Sequence, residues 1–325
     1  MKTALYEGKR KIKIVEKPDP IPEKNEVVIK VKHTGICGSD LEFYKTGLWP
    51  EKGILGHEIM GIIKELGSEV KKWKSGDRVT IDPALPCGRC YYCKKGGTNL
   101  CSGTEAIGLG RDGGFAEYIK VPERCIIKLP DAIPDKHGTV FDQIGTGLMA
   151  LKKINFKIGD TAVVLGMGTI GLFLLQLLKI SGASRIVVIE KNINRLEVAK
   201  RFNPDLALTK VNHPKIKRIV GRIGATHVFE CSGSPQLVNA ALDIACKDGN
   251  VIQIGLWDKP IEISITKYVM NQIRIQGIIG CSREDFEFAI ELVAKKMIDP
   301  EPIITKIIPL DRIVEEGFEC AISPN

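Results

Sequence analysis

The stretch from residue 161 to residue 190 constrains the fold of this chain more than any other part of its sequence. It reads TAVVLGMGTIGLFLLQLLKISGASRIVVIE, with two short runs rich in Val and Ile and a long apolar segment between them. The same alternation continues in NRLEVAKRF, THVFECSG and GNVIQIGL. Short apolar strands separated by helical segments indicate a parallel sheet that helices cover on both faces. The sequence from about residue 158 therefore predicts a doubly wound α/β domain.

A glycine-rich motif, GMGTIG, ends the first of these strands and begins the following helix. Its glycines permit a tight turn and let a pyrophosphate approach the backbone at the helix N-terminus. Glu190 ends the next strand, nineteen residues past Gly171, where an acidic side chain can bind the hydroxyls of an adenosine ribose. A plain helix–strand turn without cofactor is the alternative, and the flanking elements favour a dinucleotide site. The candidate residues of the motif are Gly166, Gly168, Thr169, Ile170 and Gly171.

Four cysteines lie within CGRCYYCKKGGTNLC, at residues 87–101. Two CxxC steps let three thiolates converge in one tight loop, and the Gly96-Gly97 pair lets the chain fold back toward the fourth. A closed set of four sulfurs suits a structural zinc ion, because no position is left for a substrate. An iron–sulfur cluster, whose usual motif places the next cysteine sooner and before proline, and inert or redox-active thiols are the alternatives. The four residues are Cys87, Cys90, Cys93 and Cys101.

The two ends of the chain differ in sequence pattern from the predicted α/β domain. Over about the first 135 residues, stretches such as 11–15 and 27–32 alternate between turns that contain Pro and Gly, which indicates a sheet or barrel domain. The tail from about residue 281 begins with an amphipathic helix, in which apolar side chains recur every three or four residues. They are Phe286, Ile290, Val293 and Met297. The segment EPIITKIIPL then predicts a strand punctuated by prolines.

The composition excludes several classes of protein. The chain has 325 residues, 44% hydrophobic and 26% charged, as expected for a soluble globular protein of two domains. No stretch approaches the roughly 18 apolar residues of a membrane span, and the N-terminus lacks the apolar segment of a signal peptide. We therefore expect a cytoplasmic protein, whose ten cysteines serve as metal ligands, catalytic groups or buried thiols. The net charge of +8 is dispersed along the chain, which argues against a nucleic-acid groove.

Two further motifs are CGSD at residues 37–40 and GHE at residues 56–58. Together with the four-cysteine segment, GGFAEY at 113–118 and GMGTIG, they resemble the zinc-dependent medium-chain dehydrogenases in order and in spacing. The resemblance covers nearly the whole chain. It implies a β-rich, GroES-like catalytic domain at 1–142 and 280–325, with a structural zinc lobe at about 86–102. It also implies that the doubly wound parallel sheet, at 143–279, is a Rossmann domain that binds NAD.

The same resemblance implies roles for five residues around a catalytic zinc ion. Cys37, His57 and Glu58 correspond to zinc ligands. Asp40 corresponds to the carboxylate that accepts a hydrogen bond from the His57 ring and fixes its tautomer. Ser39 corresponds to the hydroxyl that takes the proton of the alcohol.

Other implied positions lie further along the chain or depart from the family pattern. Asp142, in VFDQIGTG, stands where the family has its fourth ligand, and its short side chain can bind zinc directly or through a water. Thr146 falls where the family packs against the nicotinamide, and Arg195 matches a basic residue near the adenosine ribose. Glu42 replaces the relay histidine of polyol and threonine dehydrogenases, so the proton route beyond Ser39 stays open.

The expected function is therefore the zinc- and NAD-dependent oxidation of a secondary alcohol, polyol or sugar-like, to a ketone. L-threonine 3-dehydrogenase is one alternative, and a non-catalytic dinucleotide-binding relative is another. We expect two zinc ions per chain, and NAD in preference to NADP because Glu190 would repel a 2′-phosphate. The expected partners are a small-molecule alcohol and further copies of the chain in a homodimer or homotetramer, without nucleic acid or membrane.

Overall fold

The computed structural model describes residues 1–48, 52–103, 105–257 and 260–323. They form two units, each with its own hydrophobic core. The first comprises Met1–Asp142, Ser282–Ala294 and Ile304–Asn325, and the second comprises Gln143–Cys281 and Lys295–Ile303. Segments of the tail therefore enter both units. The domain boundaries expected from the sequence, after residue 142 and before residue 280, stay a prediction.

The N-terminal part of the first unit consists mainly of strands. They are β1 (Lys2–Gly8), β2 (Lys11–Glu16), β3 (Glu26–Gly35), β4 (Gly53–Ile54), β5 (Glu58–Leu66), β6 (Arg78–Ile81), β7 (Ala84–Leu85), β8 (Glu105–Ile107), β9 (Gly110–Arg111), β10 (Tyr118–Pro122) and β11 (Ile126–Lys128). The helices are α1 (Gly38–Thr46), α2 (Tyr91–Lys94) and α3 (Phe141–Lys153), and α3 continues into the second unit. Short 3-10 turns cover Thr98–Leu100, Glu123–Cys125 and Asp135–Thr139.

An antiparallel sheet of order β10-β3-β5-β6-β11 forms the main core of this unit. The successive residues Val27, Val28 and Ile29 of β3 are all buried, and Val27 and Ile29 belong to the main apolar cluster of this unit. Since successive side chains of a strand point to opposite faces, this part of β3 is covered on both faces. Each fully buried side chain of this size stabilises the fold by roughly 1.5–3 kcal/mol. Two smaller sheets have the orders β2-β1-β4 and β7-β8-β9.

The second unit alternates strands and helices as the sequence predicts. The strands are β12 (Thr161–Leu165), β13 (Arg185–Ile189), β14 (Leu206–Leu208), β15 (Ala225–Glu230), β16 (Ala245–Gln253) and β17 (Arg274–Gly277). The helices are α4 (Thr169–Ile180), α5 (Ile193–Arg201), α6 (His213–Val220), α7 (Pro235–Ile244) and α8 (Ile265–Met270). The strands form one parallel sheet of order β14-β13-β12-β15-β16-β17. The prediction of a doubly wound α/β fold is confirmed.

The centre of this sheet is apolar on both faces. Val163 and Val164 of β12 are completely buried although they point to opposite sides, as expected for a strand covered by helices on both faces. Helix α4 is buried from Gly171 to Leu178, which explains its nearly continuous apolar sequence. Its one buried polar side chain, Gln176, donates to the carbonyl of Asp299 at 3.1 Å and accepts from the backbone N–H of that residue at 2.7 Å.

The tail contains α9 (Arg283–Ala294) and α10 (Cys320–Ile322), with a π-helical turn at Ile313–Glu319. Helix α9 buries Phe286, Ile290 and Val293 as predicted. Met297 lies beyond the end of the helix and is 47% exposed, so its assignment to the apolar face was wrong. Within the four described stretches, no helix is both long and apolar enough to cross a bilayer.

The predicted strand in EPIITKIIPL was also wrong. The segment begins with a 3-10 turn at Glu301–Ile303, continues without regular structure, and meets another 3-10 turn at Leu310–Arg312. Pro302 and Pro309 cannot donate to a β-ladder, and a proline in the first turn of a helical segment has a suitable φ angle. The apolar composition of the segment therefore suggested a strand, but its prolines prevent regular β pairing.

Candidate functional site

The pairing of β3 with β5 creates the first candidate site. The strands run antiparallel, and the last residue of β3, Gly35, lies opposite the first residue of β5, Glu58. Cys37 follows shortly after Gly35, and His57 directly precedes Glu58. The Cys37 sulfur, a His57 ring nitrogen and a Glu58 carboxylate oxygen consequently lie within 4.8 Å of one another. His57 and Glu58 are buried, and Cys37 is half-buried.

Asp40, in the first turn of α1, connects the two segments that carry these side chains. Its Oδ2 accepts the backbone N–H of Cys37 at 2.9 Å, and its Oδ1 accepts that of Gly56 at 3.4 Å. The expected hydrogen bond from His57 is not formed, because His57 Nδ1 lies 3.9 Å from the Oδ1 that receives Gly56. His57 Nδ1 is buried and has no hydrogen-bond partner among the described residues. Asp40 therefore holds backbone groups and faces the imidazole only at longer range.

The shifted pKa values of the groups in this cluster favour a bound cation. Burial raises the pKa of the Glu58 carboxyl well above its usual range, and the neighbouring Cys37 adds to this effect. Burial also raises the pKa of the Cys37 thiol, followed by the effect of Asp40. For His57, burial lowers the pKa, but the nearby carboxylates of Asp40, Glu58 and Asp142 outweigh it and leave the pKa raised. Buried acidic groups that repel one another are stabilised by a metal ion, and a sulfur, nitrogen and oxygen donor set fits zinc.

Asp142 lies at the start of α3, close to this cluster. It lines a narrow cavity together with His57, Glu58, Phe141 and other residues of the first unit. Its carboxylate is not one of the ligand atoms that converge within 4.8 Å. Direct binding of Asp142 to a metal ion at this site therefore stays a prediction.

Ser39 and Glu42 occupy different surroundings on α1. Ser39 reaches the Cys37 sulfur with both its side chain and its backbone N–H. Glu42 is 46% exposed, and its carboxylate lies 2.9 Å from the Nζ of Lys45. Glu42 thus forms a surface ion pair one turn beyond the cluster.

Gly35 leaves the space that the Glu58 side chain occupies. A Cβ atom built on Gly35 would lie 3.0 Å from Cδ of Glu58 and would overlap its Oε2. Because the two residues face each other across the β3–β5 pair, any larger side chain at position 35 would displace this carboxylate. The position of Glu58 therefore depends on a glycine in the opposite strand.

The four cysteines of residues 87–101 form the second candidate site. Their sulfurs all lie within 4.8 Å of one another. Cys90 Sγ is 3.5 Å from Cys93 Sγ and 3.8 Å from Cys101 Sγ, and the backbone N–H of Cys87 donates to Cys101 Sγ at 3.3 Å. Sulfurs bound at about 2.3 Å around a tetrahedral ion lie about 3.8 Å apart, whereas those of a disulfide lie about 2.05 Å apart. This geometry fits a closed four-sulfur zinc site.

The glycine-rich turn forms the third candidate site, at the N-terminus of α4. Gly166 has φ +96°, and a Cβ there would lie 2.8 Å from the Cβ of Ser232. A Cβ on Gly171 would overlap the carbonyl oxygen of Gly166. Gly168 has an ordinary φ of −69°, and a Cβ there would meet no atom of the described part of the chain within 4 Å. Protein contacts therefore explain the first and third glycines, while the open space beside Gly168 fits a pyrophosphate at the helix N-terminus.

Glu190 braces this turn from the end of β13. Its Oε2 accepts the backbone N–H of Met167 at 2.7 Å, and its Oε1 accepts that of Asn192 at 2.8 Å. A carboxylate has about four acceptor positions, so lone pairs remain for ribose hydroxyls. Arg195 is exposed near the start of α5, and Thr146 is buried in α3. Thr169 is exposed and Ile170 is half-buried in the first turn of α4.

Comparison with known proteins identifies the family of this chain. The family model for the alcohol dehydrogenase GroES-like domain matches residues 23–131, and that for zinc-binding dehydrogenase matches residues 169–295. L-threonine 3-dehydrogenase of Shewanella baltica (strain OS185) is 31% identical, over 94% of this chain and 92% of that protein. The chain belongs to the zinc-dependent medium-chain dehydrogenases.

Two solved structures are similar to this dehydrogenase over nearly its whole length. A short chain alcohol dehydrogenase from Escherichia coli CFT073, complexed with NADH, is 28% identical with a TM-score of 0.92, covering 99% of this chain and 96% of that one. The 2R,3R-butanediol dehydrogenase of Bacillus subtilis is 30% identical with a TM-score of 0.89 and the same coverages. The predicted combination of a GroES-like and a Rossmann domain is confirmed for this zinc-dependent dehydrogenase.

Sequence reasoning missed two residues of this dehydrogenase that shape its sites. Gly35 gives no readable signal, because its role depends on the register between β3 and β5. Glu230 ends the apolar strand β15 and is completely buried. An acidic residue at the carboxyl end of a central parallel strand was a usable signal, since ligands of such sheets bind at that edge.

We expect the substitution Gly35→Ala to weaken zinc binding at the Cys37 site by about 10- to 100-fold, the usual effect of disturbing the groups around a metal site. The added methyl group must displace the Glu58 carboxylate. Chelator competition, followed by elemental analysis, measures the change. Gly53→Ala is the matched control, because among the described residues its Cβ meets only Asp112 Oδ1, at 3.8 Å. Unchanged zinc affinity in Gly35→Ala would show that Glu58 does not depend on this glycine.

Proposed function

We propose that this chain oxidises a secondary alcohol that carries a neighbouring polar group, foremost a polyol or sugar-like alcohol, to the ketone. The carbon loses a hydride to NAD and the hydroxyl loses a proton to solvent. The observation that carries this proposal is the convergence of Cys37, His57 and Glu58 within 4.8 Å at a buried position. This donor set suits a catalytic zinc ion with a coordination position open to substrate.

The cofactors have distinct residues to hold them. Cys37, His57 and Glu58 would bind the catalytic zinc ion, with Asp142 directly or through a water, and the four-cysteine lobe would bind the structural one. When bound, the catalytic zinc supplies Lewis acidity toward the hydroxyl, and NAD supplies the hydride acceptor. The turn at Gly166–Gly171 would hold the pyrophosphate, and Glu190 and Arg195 would face the adenosine ribose.

The proton leaves through residues of α1. Ser39, beside the Cys37 sulfur, takes the proton of the substrate hydroxyl and passes it outward. Asp40 keeps the Cys37 and Gly56 backbones in place, and its Oδ1 lies 3.9 Å from His57 Nδ1. Glu42 is engaged with Lys45 at the surface, so we propose that solvent receives the proton after Ser39.

Two carboxylates near the catalytic cluster favour a polar, uncharged substrate. Glu58 and Asp142 line the same narrow cleft, and a carboxylate at either position would accept hydrogen bonds from extra hydroxyl groups of a substrate bound beside it. The two named relatives point the same way, because threonine and 2,3-butanediol each carry a polar group on the carbon next to the secondary alcohol.

L-threonine is the second candidate, favoured by the relatives at 31% identity. Its ammonium group suits the acidic cavity, but its carboxylate would be repelled by Glu58 and Asp142. A non-catalytic, dinucleotide-binding protein is the third candidate, and complete absence of turnover in zinc-loaded protein would favour it.

We expect 2,3-butanediol to exceed 2-butanol by at least tenfold in kcat/KM, equivalent to about 1.4 kcal/mol. The two alcohols differ by one hydroxyl, which the carboxylates of the cavity would bind. NAD reduction measures both, in a panel with polyols, sugars and L-threonine.

Asp142→Ala should reduce this ratio, whereas Glu65→Ala should not, because the Glu65 side chain is 51% exposed. A preference for 2-butanol, or an Asp142→Ala variant with unchanged zinc content and rates, would contradict the substrate assignment.

NAD should exceed NADP by at least tenfold in kcat/KM, because Glu190 carries a negative charge where the 2′-phosphate would lie. Initial rates with both cofactors, at saturating alcohol, give the ratio. Arg195 would have the opposite influence, because it is the next cation along the chain after Lys191, is exposed and could attract the 2′-phosphate. Arg195→Ala should therefore increase the preference for NAD. Equal rates with NAD and NADP would contradict the role given to Glu190.

The cellular setting is part of the proposal. A reducing cytoplasm suits a thiolate zinc lobe, whose sulfurs are too far apart for disulfide bonds. We also propose a homodimer or homotetramer, consistent with the prevalence of closed symmetric assemblies.

A further inference from the structure

We propose that Glu230 is a positioning residue for the dinucleotide: its buried carboxylate holds the loop after β15 against the glycine-rich turn, so that the cofactor crevice is formed before the cofactor binds. This inference rests on the proposed binding of NAD by the second unit. It concerns a residue that does not itself need to touch the cofactor.

The topology of the sheet places Glu230 at the edge of that crevice. From β12 the chain proceeds to β13 and β14 on one side, and then crosses back to β15 on the other side. Open α/β sheets bind their ligands where the strand order reverses in this way, beyond the carboxyl ends of the two strands. Those ends are Leu165 of β12 and Glu230 of β15, which are paired in register.

The Glu230 carboxylate accepts hydrogen bonds from the loop after β15 and from the end of β16. It accepts the backbone N–H groups of Ser232 at 2.9 Å and Gly233 at 3.2 Å, and also the Ser232 hydroxyl. The side-chain amide of Gln253, at the end of β16, donates to it at 2.7 Å. All four donors are neutral, so the charge is balanced by oriented dipoles. The carboxylate therefore ties the loop after β15 to the end of β16.

The same loop packs directly against the glycine-rich turn. A Cβ on Gly166 would lie within 2.9 Å of three backbone and side-chain atoms of Ser232. On the other side, a Cβ on Gly255 would lie 2.6 Å from Glu230 Oε2. The loop thus packs closely against the turn, and the hydrogen bonds to Glu230 keep it in this position.

Removing the carboxylate charge changes this arrangement in a defined way. In Glu230→Gln, one acceptor oxygen becomes an NH₂ donor that faces N–H groups of the loop. At least one N–H of the loop then loses its partner, and it can bind water instead when the loop rotates out toward the crevice. The dinucleotide must then reorder the loop as it binds. Its apparent Kd equals the Kd for the ordered loop divided by the fraction of chains in which the loop is ordered beforehand.

The test compares zinc-loaded, full-length Glu230→Gln with the unmodified protein. NADH fluorescence titration should give a Kd at least tenfold higher for the variant. The KM for NAD should rise by a similar factor, with kcat within about twofold, because the metal site lies on other residues. Glu197→Gln is the control: this glutamate lies on α5, is 58% exposed, and should leave the NADH Kd unchanged.

A second variant keeps the test decisive if Glu230→Gln does not fold. Ser232→Ala removes one donor to the carboxylate without adding charge, and it should raise the NADH Kd by about threefold. Thermal unfolding is measured alongside. An unchanged NADH Kd in a folded Glu230→Gln or Ser232→Ala variant would overturn the inference. Absence of NADH binding by the unmodified protein would instead contradict the proposed function, and the inference would fall with it.

Discussion

The antiparallel pairing of β3 with β5 is the interaction on which the proposed metal site of this protein depends. It places Gly35 opposite Glu58, and thereby brings Cys37, at the end of one segment, to His57 and Glu58, at the start of the other. A shift of one residue in this register would turn the Glu58 side chain to the other face of the sheet. The apolar core beneath the sheet, with Ile29, Ile59 and Ile63 fully buried, opposes such a shift. Hydrophobic packing thus determines the geometry of a polar site.

The two units have a similar feature at their sites, a buried carboxylate that accepts hydrogen bonds from two backbone N–H groups. In the first unit, Asp40 joins the segment of Cys37 to that of Gly56. In the second, Glu230 joins the loop after β15 to the end of β16. A carboxylate that accepts several hydrogen bonds loses much of its stabilisation when any partner moves, so it enforces one arrangement of two loops. Hydrogen bonds within the chain therefore hold the loops in place at both sites.

The features predicted from the sequence are those that local pattern controls. The apolar strands, GMGTIG and the four-cysteine segment each determine their own local structure, so their positions could be predicted from residue type and spacing. The strand at EPIITKIIPL and the place of Met297 failed because apolar composition outweighed the prolines and the end of α9. The expected bond between Asp40 and His57 failed because it depends on how Oδ1 is shared with Gly56, across separate segments. The role of Gly35 could not be predicted for the same reason, because it depends on the strand with which β3 pairs.

The central claim is that the β3–β5 pair builds a metal site from Cys37, His57 and Glu58, separate from the four-cysteine lobe. Anomalous diffraction at the zinc absorption edge, on crystals of active protein as purified, tests it most directly. The account predicts two peaks per chain: one enclosed by the sulfurs of residues 87–101, and one in contact with the Cys37 sulfur and the His57 ring. A peak in the lobe alone, in protein that still reduces NAD with its alcohol substrate, would contradict the account.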